Sequence, residues 1–163
     1  MFQKILVSID TSASSEKAFE EALILAKATG GSLMLVHVLS TDEEDAPKLP
    51  FSQILDFSQI LDDRPLKVYL EQWDVYEKKG LALLKSRTDA AIEAGVVVEF
   101  SQPTGNAGRK ICELARSWGA DLIATGRRRN STFKEMVLGS TSNYVMHHAP
   151  CAVLIASSVP KAE

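Results

Sequence analysis

Five short apolar runs divide the chain: ILVSI at 5–9, LMLVHV at 33–38, VVVEF at 96–100, LIA at 122–124 and AVLIA at 152–156. Most are continuous rather than alternating, as expected of strands buried on both faces of a parallel sheet. Stretches with helical spacing lie between them. That alternation predicts βαβ units with right-handed crossovers and a doubly wound α/β fold.

The first helix is predicted over about 14–29. Ser12, Ser14 and Ser15 offer N-cap oxygens, Glu16, Glu20 and Glu21 suit the positive end of the dipole or the exposed face, and Gly30-Gly31 ends it. Its apolar stripe is Ala18, Ala22, Leu25 and Ala26. A second helix fills much of 66–94, with Gly95 just beyond it. In the third, Ile111, Leu114, Ala115 and Trp118 fall at i, i+3, i+4 and i+7 before Gly119. The last spans about 140–148, with Thr141, Val145 and His148 on one side, and Pro150 blocks its continuation.

Residues from about 40 to 65 break this rhythm. They open with the acidic run DEED at 42–45 and carry Pro47, Pro50 and Pro65. Within them FSQILD occurs twice in tandem, at 51–56 and 57–62. Six residues are too few for a solenoid unit. The segment reads as an insertion after the second strand, with room for a short helix. Its Ile54, Leu55, Ile60 and Leu61 serve either as a neutral surface insertion or as a cover for a ligand site or partner. The tail from 158 to 163 is polar and expected to fray.

A length of 163 residues fits one domain, spanning 1–157, and allows a self-sufficient core. The net charge of −3 leaves no global basic footprint for nucleic acid. Arg127-Arg128-Arg129 is a short basic patch without interleaved aromatics, so no nucleic-acid partner is expected. The N-terminal apolar run is too short for a secretory signal, and no run spans a bilayer. A cytoplasmic location without membrane association is the expectation. Cys112 and Cys151 form no CxxC pair and read as small buried hydrophobes. His147 and His148 are helix neighbours about 100° apart and cannot chelate one ion together, so no metal site is assigned; His148 is expected partly buried and His147 exposed. His37, in a predicted strand, is expected to pack or hydrogen-bond rather than catalyse.

The stretch from 121 to 155, DLIATGRRRNSTFKEMVLGSTSNYVMHHAPCAVLI, carries the chemistry. A strand runs into Gly126, three arginines follow, and Gly139-Ser140-Thr141 opens a helix. Glycine admits close backbone approach, the helix start presents free N–H groups and partial positive charge, and hydroxyls add donors. Arg127, Arg128 and Arg129 add charge-assisted bonds on the order of 1.5–3 kcal/mol each. This is a phosphate site in outline. No G-x-S-x-G elbow and no G-x-x-x-x-G-K-[ST] loop occurs. Ser140 has no general base placed beside it by the sequence, so no catalytic residue is assigned.

The same stretch resembles the nucleotide-binding signature of the universal stress protein family, G-x2-G-x9-G-[S/T]. Gly126 matches the first glycine, and Gly139 and Ser140 match the closing pair. The second glycine falls on Arg129, a substitution costing about 1–2 kcal/mol if that position needs a left-handed backbone. The alternative is that its guanidinium replaces a lost backbone contact by a phosphate contact. HAPCAVLI at 148–155, ILVSIDTS at 5–12, LVHV at 35–38 and TGNA at 104–107 resemble other segments of that family, with Ala107 where a proline is often found. The resemblance covers about 1–39 and 67–157.

That resemblance implies a Rossmann-like, adenine nucleotide alpha hydrolase-like sheet of five parallel strands in the order 3-2-1-4-5. Its crevice opens where strands 1 and 4 lie side by side. Asp10 and Val38 are assigned to the adenine and ribose end, and Thr104 and Gly105 to the flank of the ribose. Gly126, Arg127, Arg129, Gly139, Ser140 and Thr141 are assigned to phosphates. Asp10 also reads as a turn or capping residue. The implied role is a non-enzymatic stress-response sensor of ATP or AMP, with magnesium accompanying ATP, and a protein partner not named by the sequence. A homodimer through the last strand is implied as well. The alternatives are a dimeric interaction protein without nucleotide, and a slow ATPase or phosphotransferase on the same fold. The phosphate reading further predicts that Gly126→Val abolishes nucleotide binding and leaves the fold intact.

Overall fold

In the computed structural model, residues 1–43, 45–49, 63–127 and 139–158 are described. Among them the chain runs β1 (Lys4–Ser8), α1 (Ala13–Thr29), β2 (Ser32–Val36), α2 (Arg64–Glu93), β3 (Val97–Ser101), α3 (Ala107–Trp118), β4 (Leu122–Gly126), α4 (Ser140–His148) and β5 (Ala152–Ala156). Both FSQILD copies, the short helix expected with them, Arg128, Arg129 and the end of the polar tail lie outside the described residues.

The five strands form one parallel sheet in the order β3-β2-β1-β4-β5, the predicted topology. Register explains the continuous apolar runs. Ile5 pairs with Leu33 and Leu122, and Val7 with Leu35 and Ala124. These residues face α1 and α2. Leu6, Met34, Val36 and Ile123 point the other way, into α3 and α4. Each central strand therefore buries both of its faces.

β3 departs from the expectation. Val97 is 75% and Phe100 45% exposed. The strand pairs only with β2 and forms one margin of the sheet. Val98 packs against the α1/α2 core, while Glu99 accepts a hydrogen bond from the Trp118 indole. An edge position is not encoded by local hydrophobicity, so VVVEF reads like a central strand without being one.

Local chemistry sets the helix ends. The Ser12 hydroxyl accepts from Ser15 N–H at the start of α1. Asn106 Oδ1 accepts from Arg109 N–H at the start of α3. Gly30, Gly95 and Gly119 take positive φ just past α1, α2 and α3, where an L side chain is strained. The alanine stripe Ala18, Ala22 and Ala26 is buried against the sheet. In α4 the inward residues are Ser142 and Val145, with Thr141 half-buried and both His147 and His148 exposed. The expected burial of His148 does not hold. Its ring stacks on Tyr144 at 4.0 Å, and Nδ1 donates to the Tyr144 carbonyl one turn back.

None of the described helices is long and apolar enough to cross a membrane.

Candidate functional site

Two adjoining cavities lie at the carboxyl ends of the central strands, the switch point of this sheet. Ser8, Ile9, Asp10, Val38, Thr125, Gly126, Gly139, Thr141 and Ser142 line the inner one, with Glu43, Ala107 and Ile111 closing it. It holds about 20 Å³, the room of about one water. The outer one, about 190 Å³, is lined by Ser40, Asp42, Glu43, Asn106, Ala107, Gly108, Ser140, Thr141 and Tyr144. Glu43, Ala107 and Thr141 border both.

Asp10 lies just beyond β1, and its Oδ1 accepts Ser12 N–H at 2.7 Å. Its own N–H donates to Ser15 Oγ at 2.9 Å, and that hydroxyl donates to the Ser8 carbonyl. The residue thus shapes the β1–α1 turn, as its turn reading has it, and lines the crevice. Val38, 5% exposed, comes from the continuation of β2, where Leu39 bridges to Thr104.

Gly126 ends β4 and lines the inner cavity, but its smallness has another cause than the one expected. A Cβ there would stand 2.5 Å from Ser15 N and 2.6 Å from the Ser14 carbonyl carbon. The missing side chain admits the first turn of α1. The expectation that Gly126→Val spares the fold is therefore corrected: the clash is with backbone, which cannot swing aside. The Gly126 carbonyl accepts from Ser142 Oγ at 2.8 Å, tying the first turn of α4 to β4.

Gly139 is the N-cap of α4, extended at φ −58° and ψ 155°, and no side chain caps the helix. The first intrahelical bond is Asn143 N–H to Gly139 O. The N–H groups of Ser140, Thr141 and Ser142 precede it, at the positive end of the helix dipole. Ser140 and Thr141 line the outer cavity beside them.

Arg127 follows β4. Its N–H donates to Ala156 O at 2.9 Å, and its buried Nε has no hydrogen-bond partner among the described residues. Thr104 and Gly105 are not among the lining residues of either cavity. They stand next to Asn106 and Ala107, which are, and Gly105 N–H donates to Leu39 O. Arg129 lies outside the described residues.

Sequence reasoning missed Glu43, Asp42, Asn106 and Tyr144. Glu43 and Asp42 were visible only as part of an acidic run, which reads as a solvated surface. Their place at the crevice depends on a tertiary tether. Tyr76 O–H lies 3.5 Å from Glu43 Oε2, and Tyr76 packs with Leu39, Ala46 and Trp73.

Elsewhere the titratable groups serve packing. His37, 4% exposed, lies against Gly80 of α2, where a Cβ would meet its ring at 2.5 Å. The Gln102 amide nitrogen donates to Glu77 O and lies 3.2 Å from His37 Nδ1. Cys112 is buried and Cys151 half-buried against the same core, and burial pushes both thiols up. Among the described residues no group of three His, Cys, Asp or Glu is placed to hold a metal ion.

Comparison with known proteins agrees with this architecture. The family model described as "Universal stress protein family" matches residues 1–157. A universal stress protein of Synechocystis is 32% identical over 157 residues, covering 94% of this chain and 97% of that one. Universal stress protein YxiE of Bacillus subtilis is 34% identical over 155 residues, covering 95% and 99%. Among solved structures, UspA from Lactobacillus plantarum superposes with a TM-score of 0.73 at 22% identity, covering 95% and 97%. A universal stress protein in complex with cAMP superposes at 0.64 and 26%, covering 97% and 99%. A family protein from Arabidopsis thaliana with AMP bound superposes at 0.60 and 22%, covering 95% and 91%. The chain belongs to the universal stress protein family.

Proposed function

We propose that this protein binds an adenine nucleotide, AMP or ATP, at the β1/β4 crevice and acts as a stress-response sensor rather than an enzyme. The observation that carries the reading is the opening of α4. A helix start without a side-chain cap faces a crevice whose other walls are Asp10 and Val38. Such a start favours an anion. The cAMP and AMP held by the two solved structures make an adenine nucleotide the first candidate.

In this arrangement the phosphate lies at Gly139, Ser140 and Thr141, with Arg127 close by. The base points inward toward Asp10 and Val38, and the ribose lies between them. The inner cavity is narrow, so binding displaces the strap described at residues 40–43 and 45–49, and that displacement is the signal a partner reads. A ligand shifts such an equilibrium only by binding one state better than the other. Magnesium accompanies ATP, because Asp10 and Glu43 would otherwise repel a polyphosphate. We further place the protein in the cytoplasm, as a homodimer paired through the outer edge of β5, a strand edge that would otherwise be open to aggregation.

Calorimetric titration with AMP, ADP and ATP, with and without magnesium, tests the reading, alongside acid extraction of nucleotide from the purified protein. One adenine nucleotide bound per chain, with no product over hours, is expected. Turnover would favour the phosphotransferase reading. No binding at millimolar concentration would favour the interaction protein without nucleotide.

A further inference from the structure

The two cavities meet at a carboxylate. Glu43 lines both, and it belongs to a strap specific to the segment after β2. That strap is tethered at several points. Glu43 N–H donates to Ser40 O, Ala46 N–H donates to Glu43 O, and Lys48 Nζ donates to the carbonyls of Thr41 and Glu43. Ala46 is buried with Leu39 and Tyr76. Asp45 accepts from Thr11 Oγ1 at 3.3 Å and lies 3.9 Å from Lys79 Nζ. The Tyr76 hydroxyl, fixed on α2, approaches Glu43 Oε2. The half-buried carboxylate is therefore held at the junction rather than swept through solvent.

The walls of the crevice are opposite in character. The α4 side offers N–H and hydroxyl donors. The strap side offers the acceptors Asp42 and Glu43. An inorganic phosphate needs only the first wall and is repelled by the second. A ligand that satisfies both has an anionic end and, next to it, hydroxyl donors. A ribose between base and phosphate has this pattern, and its 2′- and 3′-hydroxyls are adjacent donors that a two-oxygen acceptor can take together.

Resting on the nucleotide reading above, we propose that Glu43 is a specificity-determining residue that accepts hydrogen bonds from the vicinal ribose hydroxyls, selecting ribonucleotides over deoxyribonucleotides. Tyr76 is its positioning residue.

The test is calorimetric titration of the full chain with AMP, 2′-deoxy-AMP and 3′-deoxy-AMP, for wild type, Glu43→Ala and Tyr76→Phe. Thermal melts of each variant confirm the fold. Wild type should prefer AMP over either deoxy analogue by about ten- to a hundredfold, the factor carried by a hydrogen bond to a charged acceptor. Glu43→Ala should lose that preference, binding AMP and both deoxy analogues alike. Tyr76→Phe keeps the carboxylate but removes one group that positions it, and should fall between the two. A wild type that binds AMP without preferring it, or a Glu43→Ala variant with the wild-type ratio, overturns the assignment of Glu43 and leaves nucleotide binding standing. A wild type that binds none of the three overturns both.

Discussion

The first turns of α1 and α4 approach the same crevice from opposite sides, and they are built differently. At α1 the Ser12 hydroxyl takes Ser15 N–H, Asp10 takes Ser12 N–H, and Gly126 of β4 packs directly on the Ser14–Ser15 backbone. These donors are spent within the protein. At α4 the N-cap is glycine and no side chain caps the helix. Ser142 is turned away to Gly126 O, and Ser140 and Thr141 border open space. Two helix starts with similar Ser-rich sequences thus divide the work. One locks the helix to the sheet, and the other leaves its partial positive charge facing the crevice.

The largest expected effect lies on the locked side. Gly126→Val should destabilise the protein by about 3 kcal/mol or more, because its side chain must enter space held by backbone. Urea unfolding reads this directly, and an unchanged midpoint would show that α1 yields. A carboxylate at the open side should separate binding from stability. Gly139→Asp supplies the missing cap and should raise stability by up to about 1 kcal/mol, while like-charge repulsion weakens AMP by at least about tenfold. Equal AMP affinity in that variant would place the phosphate elsewhere. The smallest effect is the mirror image: Ser12→Ala should cost about 1 kcal/mol of stability and leave AMP affinity within error. A parallel loss of affinity would mean that the two starts act as one site.

The parts of this arrangement legible in the sequence are those encoded locally. The runs at 5–9 and 33–38 declare central strands because both faces are apolar, and Ser12, Gly30, Gly95 and Gly119 mark helix ends through their own conformational preferences. Gly139 and Thr141 were found from their spacing after Gly126, and the crevice brings them together with Asp10 and Val38. What stayed hidden is non-local. The exposure of β3 depends on where it lies in the sheet. The reason for glycine at 126 is a contact with a helix more than a hundred positions earlier in the chain. Glu43 enters the site through contacts the strap makes with residues distant in sequence, Tyr76 of α2 among them.

The close contact at Gly126 also bears on how such a protein can change over time. A residue whose volume is dictated by helix packing offers little freedom for adjusting ligand preference, since an added atom destabilises the fold before it discriminates. Drift in what the crevice accepts must therefore arise outside the sheet. The strap after β2 is suited to it: its tethers run mostly to itself and to α2, so its composition can vary while the five strands remain untouched.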